Sequence, residues 1–235
     1  MIAVILAGGK GTRLKPYTNV FPKPLMPIGD HPILEILIRQ LESYGFKDIF
    51  MAVGHLAELI KLFFGEGDKY NVNITYKKES EPLGTAGPLG LMKDELNDHF
   101  IMMNGDLLTT INFQELVDYH KKSGAIATIA LKKRNVHIDF GVVEVDDSHE
   151  ITDYIEKPDL EYLVSMGVYV FDPRVLDYIE PGEYLDFPDL IKKLISKGEK
   201  VKGYPYHGYW LDMGRPDDYE KANEKIDELY PELFK

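Results

Sequence analysis

The sequence predicts an α/β protein, a Rossmann-like three-layer sandwich with a mixed but mostly parallel sheet. In the first half of the chain, short apolar runs of strand length alternate four times with segments of helical periodicity, which is typical of a parallel sheet covered on both faces. The second half has several strand-like runs with little helix between them, which indicates an added antiparallel part. In these 235 residues we find no linker and no repeat. We therefore expect one domain over 1–235, with halves at 1–110 and 111–235.

The elements of the first half follow from apolar periodicity and from the turn residues at their ends. Residues 2–7 form a β-branched apolar run that ends at glycines, which predicts a buried strand. Residues 32–44 carry apolar side chains at helical spacing, and Gly45 suits the C-terminal cap. The same reasoning predicts the other elements of this half: strands at 48–53, 72–76 and 100–103, and helices at 56–64 and 86–96.

The second half begins and ends with helical patterns and has strands between them. Residues 112–123 predict a helix, and residues 188–196 and 216–230 predict two closing helices. The strand-like runs lie at 125–131, 141–145, 151–156 and 162–171. The last three of these runs are expected to add antiparallel strands that form a lid or platform.

Composition and charge exclude several classes of function. Apolar residues make up 44% of the chain, enough for a buried core, and the net charge of −12 disfavours a polynucleotide partner. The chain has no cysteine, which excludes disulfides, a thiolate zinc site and a thiol nucleophile. The N-terminal apolar run lacks a basic leader and is too short to span a bilayer. We therefore expect no membrane attachment and a cytoplasmic location.

A glycine-rich turn follows the first predicted strand, in Leu6-Ala-Gly-Gly-Lys-Gly-Thr-Arg-Leu14. Glycines let several backbone amides converge on an anion, although a plain strand-exit turn would also use them. The segment is neither a Rossmann fingerprint nor a Walker loop. Arg13, with Lys23 in Pro22-Lys-Pro24, favours a phosphate-binding role, because two cations on a proline-stiffened loop can grip a polyphosphate. Taken alone, Lys23 could equally be a solvated lysine.

Two aspartates follow apolar stretches that lie far apart in the sequence. Asp106 comes after the predicted strand at 100–103, at the sheet edge where α/β proteins place their ligands. Asp212 follows a second apolar stretch and precedes Gly214. Magnesium is commonly held by one or two carboxylates together with phosphate oxygens. Either aspartate alone could be an ordinary turn residue, but together they favour a shared Mg²⁺ site.

These motifs resemble the signature of the sugar-1-phosphate nucleotidylyltransferases, especially the short members similar to mannose-1-phosphate guanylyltransferases. The resemblance covers nearly the whole chain and implies the nucleotide-diphospho-sugar transferase fold. It also implies that a nucleoside triphosphate and a sugar 1-phosphate react to give a nucleotide sugar and pyrophosphate, with Mg²⁺ as cofactor. The first half would bind the nucleotide and the second half the sugar phosphate. The implied catalytic residues are Arg13, Lys23 and Asp106, the metal ligands are Asp106 and Asp212, and the nucleotide is lined by Leu6, Ala7, Gly8, Gly9, Gly11, Thr12, Asn104 and Gly105.

Further motifs resemble the sugar-phosphate side of this family. Glu156-Lys-Pro158 is similar to the family's Glu-Lys-Pro motif, which implies that Lys157 binds the sugar phosphate and Glu156 the sugar hydroxyls. Gly141 resembles the glycine whose backbone meets the sugar. Ser165 stands where many members have asparagine, and Ser-Met-Gly is similar to glucose-1-phosphate adenylyltransferases. The identity of the sugar therefore stays open.

Glu79 and the segment that follows it bear on the identity of the base, because Leu83-Gly-Thr-Ala-Gly-Pro88 resembles mannose-1-phosphate guanylyltransferases. From this stretch and the residue before it we include Pro82, Gly84 and Thr85 among the substrate-binding residues. A carboxylate only accepts hydrogen bonds, and guanine offers two adjacent donors, whereas uracil and thymine offer one. If Glu79 faces the base, guanine and therefore GTP are favoured. The plain alternative is an acidic residue near a helix N-terminus.

Alternatives to a mannose-1-phosphate guanylyltransferase remain open. One is a glucose-1-phosphate thymidylyl- or uridylyltransferase, and another is a catalytically inactive relative that serves as a regulatory subunit. The sequence ends soon after Phe234, so we expect no β-helical tail and no tail-based oligomer or allosteric site. A homodimer formed through the domain itself is compatible with the sequence.

Overall fold

The computed structural model describes residues 1–234 and confirms the α/β fold class with a mixed, mostly parallel sheet. The strands are β1 (Ile2–Leu6), β2 (Pro27–Ile28), β3 (His31–Pro32), β4 (Asp48–Val53), β5 (Asn73–Lys78), β6 (Phe100–Asn104), β7 (Leu107–Thr109), β8 (Ala127–His137), β9 (Val142–Val145), β10 (Ile151–Ile155), β11 (Asp159–Phe171), β12 (Val201–Tyr206) and β13 (Trp210–Asp212). The α-helices are α1 (Ile33–Ser43), α2 (Ala57–Phe64), α3 (Phe113–Ser123), α4 (Phe187–Ser196) and α5 (Pro216–Leu233).

The central sheet has seven strands in the order β12-β8-β11-β6-β1-β4-β5. The neighbours β6, β1, β4 and β5 pair in parallel, as do β12 and β8. Strand β11 runs antiparallel between β6 and β8. Because parallel strands end at one edge of a sheet, the loops that follow β1, β4, β5 and β6 meet there.

Helices cover both faces of this sheet and so make three layers. One apolar cluster joins the sheet to α1, α2 and α3, and a second joins it to α4 and to 3-10 helices at Gly87–Met92 and Pro173–Tyr178. Adjacent residues Val4 and Ile5 of β1 belong to different clusters, because successive side chains of a strand point to opposite faces. A third cluster packs α5 against α1 and β2. None of the helices within residues 1–234 combines the length and apolar character needed to cross a bilayer.

The prediction of a helix at 86–96 is wrong, because the structure has only the short 3-10 helix Gly87–Met92 there. The amides of Ala86 and Gly87 both donate to the carbonyl oxygen of Leu185, at 2.8 and 3.0 Å. The segment also contains Pro88 and Gly90, which are poor residues for a helix interior. A contact with a distant part of the chain therefore replaces the helix that the periodicity predicts.

Strand β12 was not predicted from the sequence. Its residues Val-Lys-Gly-Tyr-Pro-Tyr include a glycine and a proline, which weaken a strand pattern. The structure places β12 at the edge of the sheet, where a proline is tolerated because it has only one neighbouring strand. Pairing with β8 thus decides a strand that local preference does not.

The antiparallel part differs from the expected arrangement. Strand β11 joins the central sheet as expected and begins earlier than the predicted run at 162–171. Strands β9 and β10 do not join that sheet but form a separate two-stranded sheet, most of it exposed. The outer halves of β8 and β11 pair with each other and are largely exposed as well.

Candidate active site

The glycine turn lies between the carboxyl ends of β1, β4 and β5. The Gly8 carbonyl oxygen accepts the His55 amide at 3.3 Å, just after β4. A Cβ at Gly8 would lie 2.6 Å from Glu79 Oε1, and one at Gly54 would lie 2.9 Å from the Gly8 carbonyl oxygen. Only glycine at position 8 therefore allows the Glu79 carboxylate to lie directly against the turn.

The second part of the turn brings Lys23 beside it. Gly11 has a φ of +57°, a conformation that glycine adopts without strain, and the Thr18 hydroxyl donates to its carbonyl oxygen at 2.8 Å. A Cβ at Gly11 would lie 3.3 Å from Lys23 Cβ. Thr12 begins the 3-10 helix Thr12–Leu14, which contains Arg13. The chain between the turn and Lys23 is therefore folded back on itself.

Lys23 contacts both aspartates that the sequence singled out. Its ammonium, on a side chain only 10% exposed, forms an ion pair with Asp106 Oδ2, and Asp212 Oδ1 lies 4.0 Å from the same nitrogen. The aspartates meet because β13 pairs antiparallel with β7, which places Asp212 opposite Leu107. The structure thus brings together three charges separated by up to 189 positions in the sequence (23 to 212).

Arg13 is the fourth charged residue of the cluster and lies near Asp212. A Cβ at Gly214 would lie 3.0 Å from Arg13 Nη1, so the guanidinium lies against the backbone two residues after Asp212. Burial raises the pKa of Asp212, and the neighbouring Asp106 charge raises it further, whereas Lys23 and Arg13 oppose both effects. Asp106 Oδ1 is buried and has no hydrogen-bond partner within residues 1–234. Two close carboxylates with an unsatisfied oxygen favour a cation at this position.

Asn104 and Gly105 lie between the glycine turn and the aspartates. Gly105 donates its amide to the Leu6 carbonyl oxygen at 2.8 Å, which joins the ends of β6 and β1. Gly167, with a φ of +72°, lies against Asn104, because a Cβ there would be 2.7 Å from Asn104 Nδ2. The loops after the first and the sixth strand are therefore packed together at the candidate site.

Glu79, which is predicted to contact the base, is half-buried just after β5. Its Oε2 accepts the Leu83 amide at 2.9 Å, while Oε1 faces Gly8. Burial raises the pKa of Glu79, and the Leu83 hydrogen bond opposes this. The predicted residues Gly84 and Thr85 follow in the same loop, where Thr85 contacts Asp186. Pro82 is exposed.

The predicted sugar-phosphate residues do not contact the charge cluster. The Tyr154 hydroxyl donates to Glu156 Oε2 at 3.1 Å, and Gly141 lies against that hydroxyl. Lys157 is exposed and has a φ of +45°, and none of the ion pairs found within residues 1–234 includes it. Ser165 donates to the Tyr169 hydroxyl at 2.9 Å and accepts the Gly167 amide at 3.3 Å, which leaves its hydroxyl one acceptor position for a substrate. The structure therefore joins four of the five predicted charges and leaves Lys157 apart.

Asp186, which the sequence did not single out as a site residue, binds the loop after β5 from 101 positions away. It precedes Phe-Pro at the start of α4, where an aspartate is the usual N-terminal cap. No local signal distinguishes an aspartate that caps its own helix from one that bonds a distant loop.

A family model described as nucleotidyl transferase matches residues 2–228. The chain belongs to the nucleotidyl transferase family. Its curated relatives include a UTP–glucose-1-phosphate uridylyltransferase of Synechocystis, 36% identical over 94% of this chain and 62% of the relative. A mannose-1-phosphate guanyltransferase of Schizosaccharomyces pombe is 37% identical over 93% and 62% of the two chains. This nucleotidyl transferase chain therefore spans about three fifths of the length of those relatives.

Solved structures of related proteins share the fold. A glucose-1-phosphate thymidylyltransferase from Bacillus anthracis, assigned provisionally and solved with a sucrose, is 26% identical with a TM-score of 0.77 over 95% of this chain and 94% of the other. HddC from Yersinia pseudotuberculosis, solved in complex with GMP-PN, is 26% identical with a TM-score of 0.75 over 96% and 99%. The nucleotide-diphospho-sugar transferase fold implied by the sequence is thereby confirmed.

Proposed function

We propose that this chain transfers a nucleotidyl group from a nucleoside triphosphate to a sugar 1-phosphate and releases pyrophosphate. The observation that carries the proposal is the contact of Lys23 with Asp106 and Asp212, beside the glycine turn that contains Gly8 and Gly11. Backbone amides, two cations and two carboxylates at one sheet edge suit a polyphosphate with a metal ion. Family membership supports the same reaction class.

Asp106 and Asp212 fit Mg²⁺ as its protein ligands. Both are hard oxygen donors, and Asp106 Oδ1 is buried without a hydrogen-bond partner in the described part of the chain. Magnesium usually takes one or two carboxylates and completes its shell with phosphate oxygens and water. When bound, the ion would supply positive charge to the phosphate oxygens.

Positioning and charge neutralisation account for the mechanism without a general base. A phosphate monoester carries most of its second negative charge near neutral pH, so the attacking oxygen is already anionic. It would attack the α-phosphorus in line with the leaving pyrophosphate, so that one P–O bond forms and one breaks. Arg13 and Lys23 would stabilise the charge on the leaving side. Lys157, in the exposed connection between β10 and β11, would bind the attacking phosphate.

GTP with mannose 1-phosphate or a related sugar is the proposed substrate pair. The Glu79 carboxylate lies against the glycine turn, where it can accept the two adjacent donors of guanine. Mannose-1-phosphate guanyltransferases among the relatives support this pair, as does HddC, which was solved with GMP-PN. A glucose-1-phosphate thymidylyl- or uridylyltransferase is the second candidate, because the Bacillus anthracis and Synechocystis proteins carry those names at 26% and 36% identity. An inactive regulatory relative is disfavoured because Arg13, Lys23, Asp106, Lys157 and Asp212 are all present.

A substrate panel tests the proposal. GTP, UTP, dTTP and ATP would each be combined with mannose, glucose and heptose 1-phosphates in Mg²⁺, and pyrophosphate release would be measured. We expect turnover with GTP and mannose 1-phosphate or a related sugar phosphate. Ligand binding without pyrophosphate release from any pair would instead support the inactive relative. A cytoplasmic location and a homodimer remain predictions from the sequence.

A further inference from the structure

Asp186 occupies the N-terminal cap position of α4, yet its side chain does not cap that helix. Oδ1 instead accepts the Thr85 amide at 3.0 Å and the Thr85 hydroxyl at 3.1 Å. Oδ2 accepts the Tyr184 hydroxyl at 2.5 Å. The Tyr184 hydroxyl, followed by the Thr85 donors, lowers the pKa of Asp186, while partial burial opposes them. An aspartate at this position would ordinarily accept an amide of its own first turn.

Thr85 provides the side-chain cap of α4 that Asp186 does not provide. The Phe187 amide, in the first turn of α4, donates to Thr85 Oγ1 at 2.8 Å. The backbones are also joined, because Leu185 donates to the Leu83 carbonyl oxygen at 2.9 Å and accepts from Ala86 at 2.8 Å. The loop that follows β5 and the segment that precedes α4 therefore hold each other through both side chains and backbone.

This contact leaves the loop little freedom. Gly84 has a φ of +78°, and a Cβ there would lie 2.6 Å from the Leu185 carbonyl oxygen. Phe187, next to Asp186, stacks on Tyr169 of β11, with ring centroids 4.0 Å apart and planes 7° apart. Asp186 is thus fixed to the sheet, and the loop is fixed to Asp186.

The same loop holds Glu79. Leu83, whose carbonyl oxygen accepts from Leu185, donates its own amide to Glu79 Oε2 at 2.9 Å. We propose that Asp186 is a positioning residue for base recognition, which fixes the turn at 83–85 and through it the Glu79 carboxylate. This inference rests on the proposed function, in which Glu79 faces the base. Asp186 would act through Thr85 and Leu83, without touching the nucleotide.

Two variants that remove different halves of the contact test the proposal. Asp186→Ala removes the acceptor, and Thr85→Val removes the hydroxyl at nearly constant volume, whereas Thr85→Ser keeps it. Asp189→Ala is the matched control, because Asp189 is an exposed acid in the first turn of the same helix. We expect Asp186→Ala and Thr85→Val to lower the ratio of kcat/KM for the preferred over a non-preferred triphosphate by about 10-fold or more. The ratio should fall less in Thr85→Ser than in Thr85→Val, because serine keeps the hydroxyl, and it should stay at the wild-type value in the control Asp189→Ala.

Two further readouts separate positioning of the base from general loss of structure. The KM for the sugar phosphate and the inhibition by inorganic tripolyphosphate should not change, since both report on the phosphate side of the site. If thermal unfolding shows a folded Asp186→Ala variant whose base ratio equals that of the wild type, the inference is wrong. A wild type that turns over no substrate pair would refute the proposed function instead. Equilibrium binding of GTP and UTP would then test the inference, and unchanged selectivity in Asp186→Ala would overturn it.

Discussion

Asp212 is fixed beside Asp106 by a backbone hydrogen bond, because the Met213 amide donates to the Asp106 carbonyl oxygen at 3.1 Å. The backbone segments that carry the two carboxylates therefore stay together when either side chain is changed. This allows the chemical role of each carboxylate to be tested without separating the strands that carry them.

Asp212→Ala should reduce turnover by roughly 100-fold or more, since it removes one of the two proposed metal ligands and leaves the developing charge less neutralised. The unfolding temperature should not fall, because burial and the Asp106 charge disfavour an ionised Asp212 in the folded protein. Steady-state pyrophosphate release and thermal melting measure the two effects. Asp217→Ala, at an exposed acid in the first turn of α5, is the control. Preserved activity of Asp212→Ala in Mg²⁺ would refute the assignment.

Glu79→Gln should shift the preference from GTP towards UTP or dTTP. An amide offers both a donor and an acceptor, which suits the alternating edge of uracil or thymine, whereas the carboxylate suits the two donors of guanine. The change keeps the side-chain volume and leaves an oxygen to accept the Leu83 amide. The kcat/KM values for the three triphosphates measure the shift. If their ratios equal those of the wild type, Glu79 does not read the base.

Gly8→Ala should lower the free energy of unfolding by about 1 kcal/mol, because the new methyl group would displace the Glu79 carboxylate and weaken its hydrogen bond with the Leu83 amide. A Cβ at Gly8 would lie 2.6 Å from Glu79 Oε1, whereas a Cβ at Gly9 would meet no atom within 4 Å. Gly9→Ala should therefore change the free energy of unfolding by less than about 0.5 kcal/mol. Urea titration of both variants measures the difference. When Gly8→Ala is combined with Glu79→Ala, it should cost much less than it does in the wild type.

Folding stability should fall as the pH decreases from 8 to 5, because His120 is fully buried. Its pKa is lowered to about 4, chiefly by burial and also by the neighbouring His99, while Asp172 opposes both. The unfolded chain binds a proton below about pH 6.5 that the folded protein does not bind until about pH 4, so acid favours unfolding in that window. This effect alone removes about 2 kcal/mol between pH 8 and pH 5.

His120→Gln should flatten this dependence, because glutamine does not titrate and retains polar atoms for the Thr128 hydroxyl, 2.8 Å from the His120 ring. Denaturant unfolding at pH 8 and pH 5 compares the variant with the wild type. An equal loss of stability in both proteins would show that other groups cause the acid sensitivity.

The elements that sequence patterns predict well are those determined by local chemistry. Strands β1, β4 and β6 are apolar runs bounded by turn residues, and their predicted limits differ from the observed ones by no more than one residue. The short 3-10 helix at Gly87–Met92 and the edge strand β12 were not predicted, because contacts with distant segments override weak local preferences.

By itself, the sequence determined that a glycine turn follows β1 and that Asp106 follows β6, because apolar periodicity and turn residues act over a few positions. Only the tertiary structure decided that Lys23 meets Asp106 and Asp212, that Thr85 bonds to Asp186, and that Lys157 lies outside the charge cluster. Each of these outcomes depends on strand order, register or packing between segments about 80 or more positions apart. Such contacts form only when the whole chain buries its apolar surface, and no local pattern encodes them.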